Sequence, residues 1–166
     1  MKLMTRVQTI YVSPEAGSKM NSASKVKILP QKGIEGDRYA LNKGAYSLAK
    51  PIKIRDITFI SRVGIDDANH YLKSIGQEGF TDSETRRNIV LNEITSNELN
   101  NLIGKVFSVG DVSFRGTELC APCERPSKLA NKKCFLKAFE NKGGIRAEAL
   151  CPGEIEIGNL LILSSK

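Results

Sequence analysis

Lys105-Val-Phe-Ser-Val-Gly-Asp-Val-Ser-Phe-Arg-Gly-Thr-Glu-Leu119 reads as two β-strands folded about Gly110-Asp111. A glycine-aspartate pair between two β-prone runs is a hairpin signal, because it tolerates the backbone angles a tight reversal needs. The same texture extends in both directions. Upstream, Thr5 to Val12, Lys25 to Leu29, Ile52 to Ile60 and Asn88 to Asn92 read as strands. Downstream, Ile145 to Leu150, Glu154 to Ile157 and Leu160 to Leu163 close the chain in short strands. The intervening stretches 13–24, 40–51 and 77–86 are polar or rich in turn formers and read as connections.

Three helical segments interrupt the strands. Ser61 caps a run with Val63, Ala68, Tyr71, Leu72 and Ile75 at helical spacing, stopped by Gly76. Thr95-Ser-Asn-Glu98 is a capping box opening a short helix that ends at Gly104. Residues 128–140 carry Leu129, Leu136 and Phe139 and read as one further helix, broken by Gly143-Gly144. Many short strands with two or three short helices predict a β-rich α+β chain of barrel-like architecture.

With 166 residues, the chain is expected to form a single domain over 1–166 that buries its core without staples. The start, Met1 to Ile10, lacks an apolar run of signal-peptide length, and no stretch approaches the ~20 apolar residues of a membrane span. A cytoplasmic protein with no membrane partner is therefore expected, with its four cysteines reduced. The net charge of +7 reads as a solvated basic surface or as attraction for an anionic ligand, such as a phosphate-bearing cofactor. Aromatics are only 6%, tryptophan is absent and no nucleic-acid-binding signature appears, so nucleic acid is not expected as a partner.

The stretch most suggestive of chemistry is Glu118-Leu-Cys-Ala-Pro-Cys-Glu-Arg-Pro-Ser-Lys128. Two thiols sit three positions apart in a loop stiffened by Pro122 and Pro126, with Arg125 and Lys128 just beyond. A thiol reacts and ligates as the thiolate, which nearby cations favour. Cys120 and Cys123 could belong to a structural zinc site, but Cys134 and Cys151 are isolated, and the only histidine, His70, falls in a helix. A redox dithiol wants a strand-to-helix setting that this β-rich context does not offer. Arg86-Arg87-Asn88 precedes a strand and could capture an anion through guanidinium forks, or serve as a surface charge pair. Asp37, in Gly33-Ile-Glu-Gly-Asp-Arg38, could be a turn stabiliser or a polar contact of a site.

In order and spacing these segments resemble the MOSC domain, the C-terminal domain of molybdenum cofactor sulfurases. Gly33-Ile-Glu-Gly-Asp-Arg38 is similar to its early glycine–acidic motif. Arg87-Asn-Ile-Val90 is similar to its central Arg-Asn strand, and Leu102-Ile-Gly-Lys-Val-Phe-Ser-Val-Gly-Asp111 to its Leu-x-Gly…Gly-Asp hairpin. Pro122-Cys123 matches the Pro-Cys of stand-alone members, while Gly143-Gly-Ile-Arg-Ala147 and Gly153-Glu-Ile-Glu-Ile-Gly158 look like the closing strands. The resemblance spans roughly residues 5 to 163. Two departures stand out: Tyr39 where a histidine is common, and Gly158-Asn159 where an aspartate is common.

The resemblance implies a MOSC-like β-barrel and a molybdenum cofactor (molybdopterin), or the handling of sulfur for metal–sulfur chemistry. Cys123 would be the molybdenum ligand and catalytic thiol. Arg87, helped by Arg86 and Arg38, would bind the pterin's phosphate, with Asp37 and Asn88 lining the same cleft. The expected activity is an oxidoreductase acting on N-hydroxylated or oxygenated small molecules. The alternative is a sulfur carrier holding a persulfide on Cys123, and a third reading is a non-catalytic domain with zinc at Cys120 and Cys123. No flavin, haem or iron–sulfur motif is present, so the first reading requires an electron-donating reductase in trans. The second requires a separate cysteine desulfurase.

Overall fold

The computed structural model describes residues 4–165. Its strands are β1 (Val7–Val12), β2 (Asn21–Ala23), β3 (Lys25–Leu29), β4 (Gly33–Ile34), β5 (Ile57–Ser61), β6 (Ile89–Leu91), β7 (Val106–Val109), β8 (Val112–Leu119), β9 (Ile145–Ala149), β10 (Gly153–Glu156) and β11 (Leu161–Leu163). Four short α-helices join them: α1 (Arg62–Ser74), α2 (Ser96–Asn100), α3 (Arg125–Ala130) and α4 (Phe135–Ala138), with a single 3₁₀ turn at Ser83–Thr85. The chain is a strand-rich α+β protein, as its sequence predicts. None of the described helices is long and apolar enough to cross a membrane.

Eight strands form one sheet in the order β11-β7-β8-β9-β5-β6-β1-β2, and β10-β3-β4 form a second. The large sheet curls until the start of β1, the strand next to its β2 edge, meets β11 at the other edge. Arg6 bridges Leu160, the Val7 N–H donates to the Asn159 carbonyl at 2.9 Å, and the Leu161 N–H donates to the Thr5 carbonyl at 2.9 Å. Curling of this kind pairs backbone groups that an open edge would leave unpaired.

β5 and β6 pair in parallel, which demands a crossover connection, and α1 supplies it. A parallel pair covered by a helix is buried on both faces. Ile57, Phe59, Ile89 and Leu91 accordingly point into the barrel, while Ile60 and Val90 point outward beneath α1. The barrel core centres on Phe59, Phe107 and Phe114, whose ring centroids lie 5.3–5.8 Å apart. The outer core packs Phe80, Phe135 and Phe139 against Ile65, Ala68 and Leu72 of α1.

The caps behave as their sequences demand. The Ser61 hydroxyl accepts from the Gly64 N–H at 2.9 Å, and Thr95 and Glu98 form both halves of a capping box. Three segments differ from the sequence-based expectation. The single helix expected over 128–140 is two helices, because Asn131 and Cys134 adopt left-handed backbone angles between them. Residues 21–23, expected in a loop, form β2 by hairpin pairing with β1. The strand expected from Ile52 begins only at Ile57; Ile52 and Ile54 are exposed and outside the ladder.

Candidate functional site

The long irregular connection from residue 35 to 56 lies over one end of the barrel, beside the segment that follows β8. Between them opens a cavity of about 240 Å3. Its lining brings together four of the six residues singled out in the sequence: Arg38, Arg86, Arg87 and Cys123. A smaller recess of about 50 Å3 shares these four and adds Arg125.

Cys123 is half-buried, three residues after the buried Cys120 and four after β8 ends at Leu119. The loop is anchored where the Cys120 N–H donates to the Gly144 carbonyl at 2.8 Å. Gly143 and Gly144 allow this approach: a Cβ on either would collide with the Cys120 or the Phe59 carbonyl. The Tyr46 hydroxyl reaches the Cys123 sulfur at 3.8 Å. This contact, aided by burial, raises the Tyr46 phenol above its ordinary pKa. Cys120 does not line the cavity; it is 2% exposed, and burial pushes its thiol up.

The three arginines are held mainly by backbone carbonyls. Arg38 Nη2 donates to the Arg86 carbonyl at 3.0 Å, Arg86 Nη1 to the Ser18 carbonyl at 2.7 Å, and Arg87 Nε to the Gly143 carbonyl at 2.7 Å. Arg86 itself takes a left-handed backbone angle, φ 64°, at the end of the 3₁₀ turn. Its Nη2 is buried and makes no hydrogen bond. Burial, with the charges of Arg38 and Arg125 nearby, lowers the Arg86 pKa to about 10. A sealed guanidinium nitrogen without a partner is costly unless an anion offsets it.

Asp37 and Asn88 stand behind the cavity wall rather than on it. Asp37 Oδ1 accepts from the Ser13 N–H at 3.0 Å and from Arg38 Nη1 at 3.1 Å, so this buried carboxylate orients the arginine next to it. Asn88 Oδ1 accepts from the Thr58 N–H and hydroxyl at 3.2 and 3.1 Å, and its Nδ2 donates to the Tyr11 carbonyl at 3.1 Å. The side chain thus adds a rung between β5 and β1 beside β6, and Thr58 in turn lines the cavity.

Lys53, Arg55, Arg146 and Tyr46 also line the cavity and were not singled out as site residues in the sequence. Lys53 and Arg146 both bind Glu118, at 3.1 and 2.6 Å. Arg55 lies over the Tyr46 ring, 5.3 Å from its centroid. Six cations therefore line the cavity against one carboxylate, Glu118. The one signal in the sequence was compositional: residues 38 to 55 contain five basic residues and no acidic one.

The remaining cysteines and the histidine lie elsewhere. His70 and Cys134 are exposed, and Cys151 accepts a hydrogen bond from the Ser113 N–H at 3.4 Å beside the barrel core. Among the described residues no three His, Cys, Asp or Glu side chains converge as a metal-binding group. A closed zinc site of four such ligands has no counterpart there.

The arrangement is a curled β-barrel with one accessible thiol inside a strongly cationic cavity. The family model of the MOSC domain matches residues 54–161, and the chain belongs to that family. The early Gly33–Arg38 motif lies outside the matched span. Solved structures share the fold. YuaD from Bacillus subtilis superposes with a TM-score of 0.77 at 16% identity, over 96% of both chains. YiiM from Geobacillus stearothermophilus gives 0.70 at 15% identity, over 97% of this chain and 75% of that one. YiiM from Escherichia coli gives 0.61 at 15% identity, over 100% and 71%. At such identities the likeness concerns the fold. No curated protein sequence matches the chain.

Proposed function

We propose that this protein binds the molybdenum cofactor in the cationic cavity, with Cys123 as the protein ligand to molybdenum. The observation that carries this reading is the convergence of Arg38, Arg86 and Arg87 on the cavity that holds the half-buried Cys123. A thiolate is a soft ligand suited to a thiophilic metal, and guanidinium forks suit the phosphate of a pterin cofactor. The charge of Arg86, held beside the cavity by the Ser18 carbonyl and by no carboxylate, favours an anion there.

The chain's own residues divide the work. Arg87 would hold the phosphate through its terminal nitrogens, its Nε being taken by the Gly143 carbonyl. Arg86 and Arg38 add charge from the adjoining recess. Asp37 and Asn88 act behind this layer, the first by orienting Arg38 and the second by fixing Thr58 and the strand that leads out of Arg87. Tyr46 holds the Cys123 sulfur in one orientation toward the cavity. When bound, the cofactor supplies two-electron oxygen-transfer chemistry, which suits the reduction of N-hydroxylated or oxygenated small molecules. Two electrons must then come from a separate reductase.

The test is metal and sulfur analysis of protein purified from a host that makes the cofactor. Wild type is expected to carry molybdenum near stoichiometry, with an oxidised pterin detectable by fluorescence, and Cys123→Ala to carry none. A metal-free wild type with cyanide-labile sulfur on Cys123 would overturn this reading in favour of a sulfur carrier loaded by a cysteine desulfurase.

A further inference from the structure

Next to the thiol cavity lies a second compartment of about 270 Å3. The two share Tyr39, Tyr46, Lys53 and Arg55, so they adjoin along a common wall. Ile52 and Ile54 give the second compartment apolar surface. Two carboxylates line it as well. Asp56 is buried, and its Oδ2 already accepts from the Gln31 and Ala149 N–H groups at 3.3 and 3.0 Å. Glu148 is half-buried and pairs with no cation among the described residues.

Arg55 differs from the other cations of the thiol cavity. Lys53 and Arg146 share the one carboxylate Glu118, and Arg38, Arg86 and Arg87 are tied to carbonyls. Among the described residues Arg55 has neither a carboxylate nor a carbonyl partner; its guanidinium lies on the Tyr46 ring, 5.3 Å from the centroid. Stacking on an aromatic face fixes the plane of a guanidinium and leaves its in-plane N–H donors free. Such a fork recognises a carboxylate in bidentate fashion.

We propose that this compartment is the substrate pocket and that Arg55, seated on Tyr46, selects a small planar molecule bearing a carboxylate. The role as substrate pocket rests on the cofactor reading above; the selection by Arg55 does not. A single ring lies against Ile52 and Ile54, its carboxylate meets Arg55, and the other end of the molecule points past Tyr46 toward Cys123. The Tyr46 hydroxyl is already committed to the sulfur, so the ring face and Arg55 are what it offers the second compartment.

The probe is benzoate, compared with benzamide, which has the same shape without the charge. Binding is followed by nitrogen-15 NMR on the purified protein, reading the Arg55 side chain and the backbone of residues 46–55. Benzoate is expected to shift these signals and to bind about tenfold more tightly than benzamide, the size of one charge-assisted contact at a partly exposed site. Arg55→Gln is expected to bring the two affinities within about twofold, and Arg55→Lys to restore part of the preference. Equal binding of the two probes to wild type, an unchanged ratio in Arg55→Gln, or shifts confined to Arg38, Arg86 and Arg125 would each overturn the proposal. Selection of benzoate through Arg55 in a protein that carries no molybdenum would sink the cofactor reading alone. Stoichiometric molybdenum with no preference for benzoate would sink the pocket alone.

Discussion

Replacing Asn88 by alanine removes three side-chain hydrogen bonds at one stroke: two from Thr58 and one to Tyr11. Each net contribution is about 1 kcal/mol, and the Thr58 N–H and Tyr11 carbonyl would be left without their partners inside the sheet. The expected loss is about 3 kcal/mol, with the unsatisfied groups pushing it upward if water cannot reach them. For a chain of this size that corresponds to a fall in Tm of about 6–12 °C. Urea denaturation of the protein without cofactor, read at the midpoint with the slope unchanged, is the direct assay. The loss belongs to the bare fold, because all three bonds are internal. A loss below about 1 kcal/mol would refute it. It would mean that Asn88 is not the rung between β5 and β1, and that its amide is available to a ligand. The sheet would then have to close beside Arg87 by backbone pairing alone.

Two further outcomes follow from the same geometry. Millimolar inorganic pyrophosphate should raise the Tm of the cofactor-free protein by several degrees over chloride of equal ionic strength, by mass action on the folded state. Arg86→Gln should remove most of that increment, since it deletes a cavity charge that no carboxylate offsets; an equal increment in the variant would place the anion elsewhere. Asp56 tests burial through pH. Desolvation raises its folded pKa above the ordinary 3.8, so the ionised form is the one the fold disfavours. Its contribution is present below 3.8 and is lost as pH rises through the folded value. The stability of Asp56→Asn relative to wild type should therefore increase between pH 4 and neutrality; a flat or falling difference would contradict the assignment.

The strands were legible where periodicity and turn chemistry coincide. Gly110-Asp111 sits at the reversal between β7 and β8, and Ser61 and Thr95 sit at the N-caps of α1 and α2. The sequence misleads where long-range pairing or a left-handed residue decides. Asn21-Ser-Ala23 has no β-preference of its own and is a strand because β1 offers it a partner. Nothing in the apolar spacing of 128–140 reveals that Asn131 and Cys134 will turn left-handed. The site was legible in the same uneven way. Cys123, Arg38, Arg86 and Arg87 carry recognisable motifs, and they meet in one cavity. Tyr46 lies in a connection without regular structure, and Arg55 lies in an alternating run that reads as strand but stays outside the ladder, so their place in the wall shared by the two compartments depends on tertiary folding.

The way the cations are held bears on what the cavity can do. A carboxylate partner fixes a cation but offsets its charge, as Glu118 does in part for Lys53 and Arg146, one negative charge against two positive. A carbonyl fixes it through a dipole and leaves the charge in place. Arg86 and Arg87 are held only in the second way, and Arg38 in both, through the Arg86 carbonyl and Asp37. The fold thus carries uncancelled positive charge in fixed positions, at a cost visible in the lowered Arg86 pKa. Preorganised charge of this kind binds an anion without first breaking an internal ion pair, and it loses less side-chain freedom on binding. The glycines at 143 and 144 belong to the same device. They let the Cys120 and Phe59 carbonyls approach closely enough that Gly143 can present its own carbonyl to Arg87 Nε at 2.7 Å. The segment leading to Cys123 and the residue leading into β6 are thereby tied to adjacent backbone points, the Gly144 and Gly143 carbonyls.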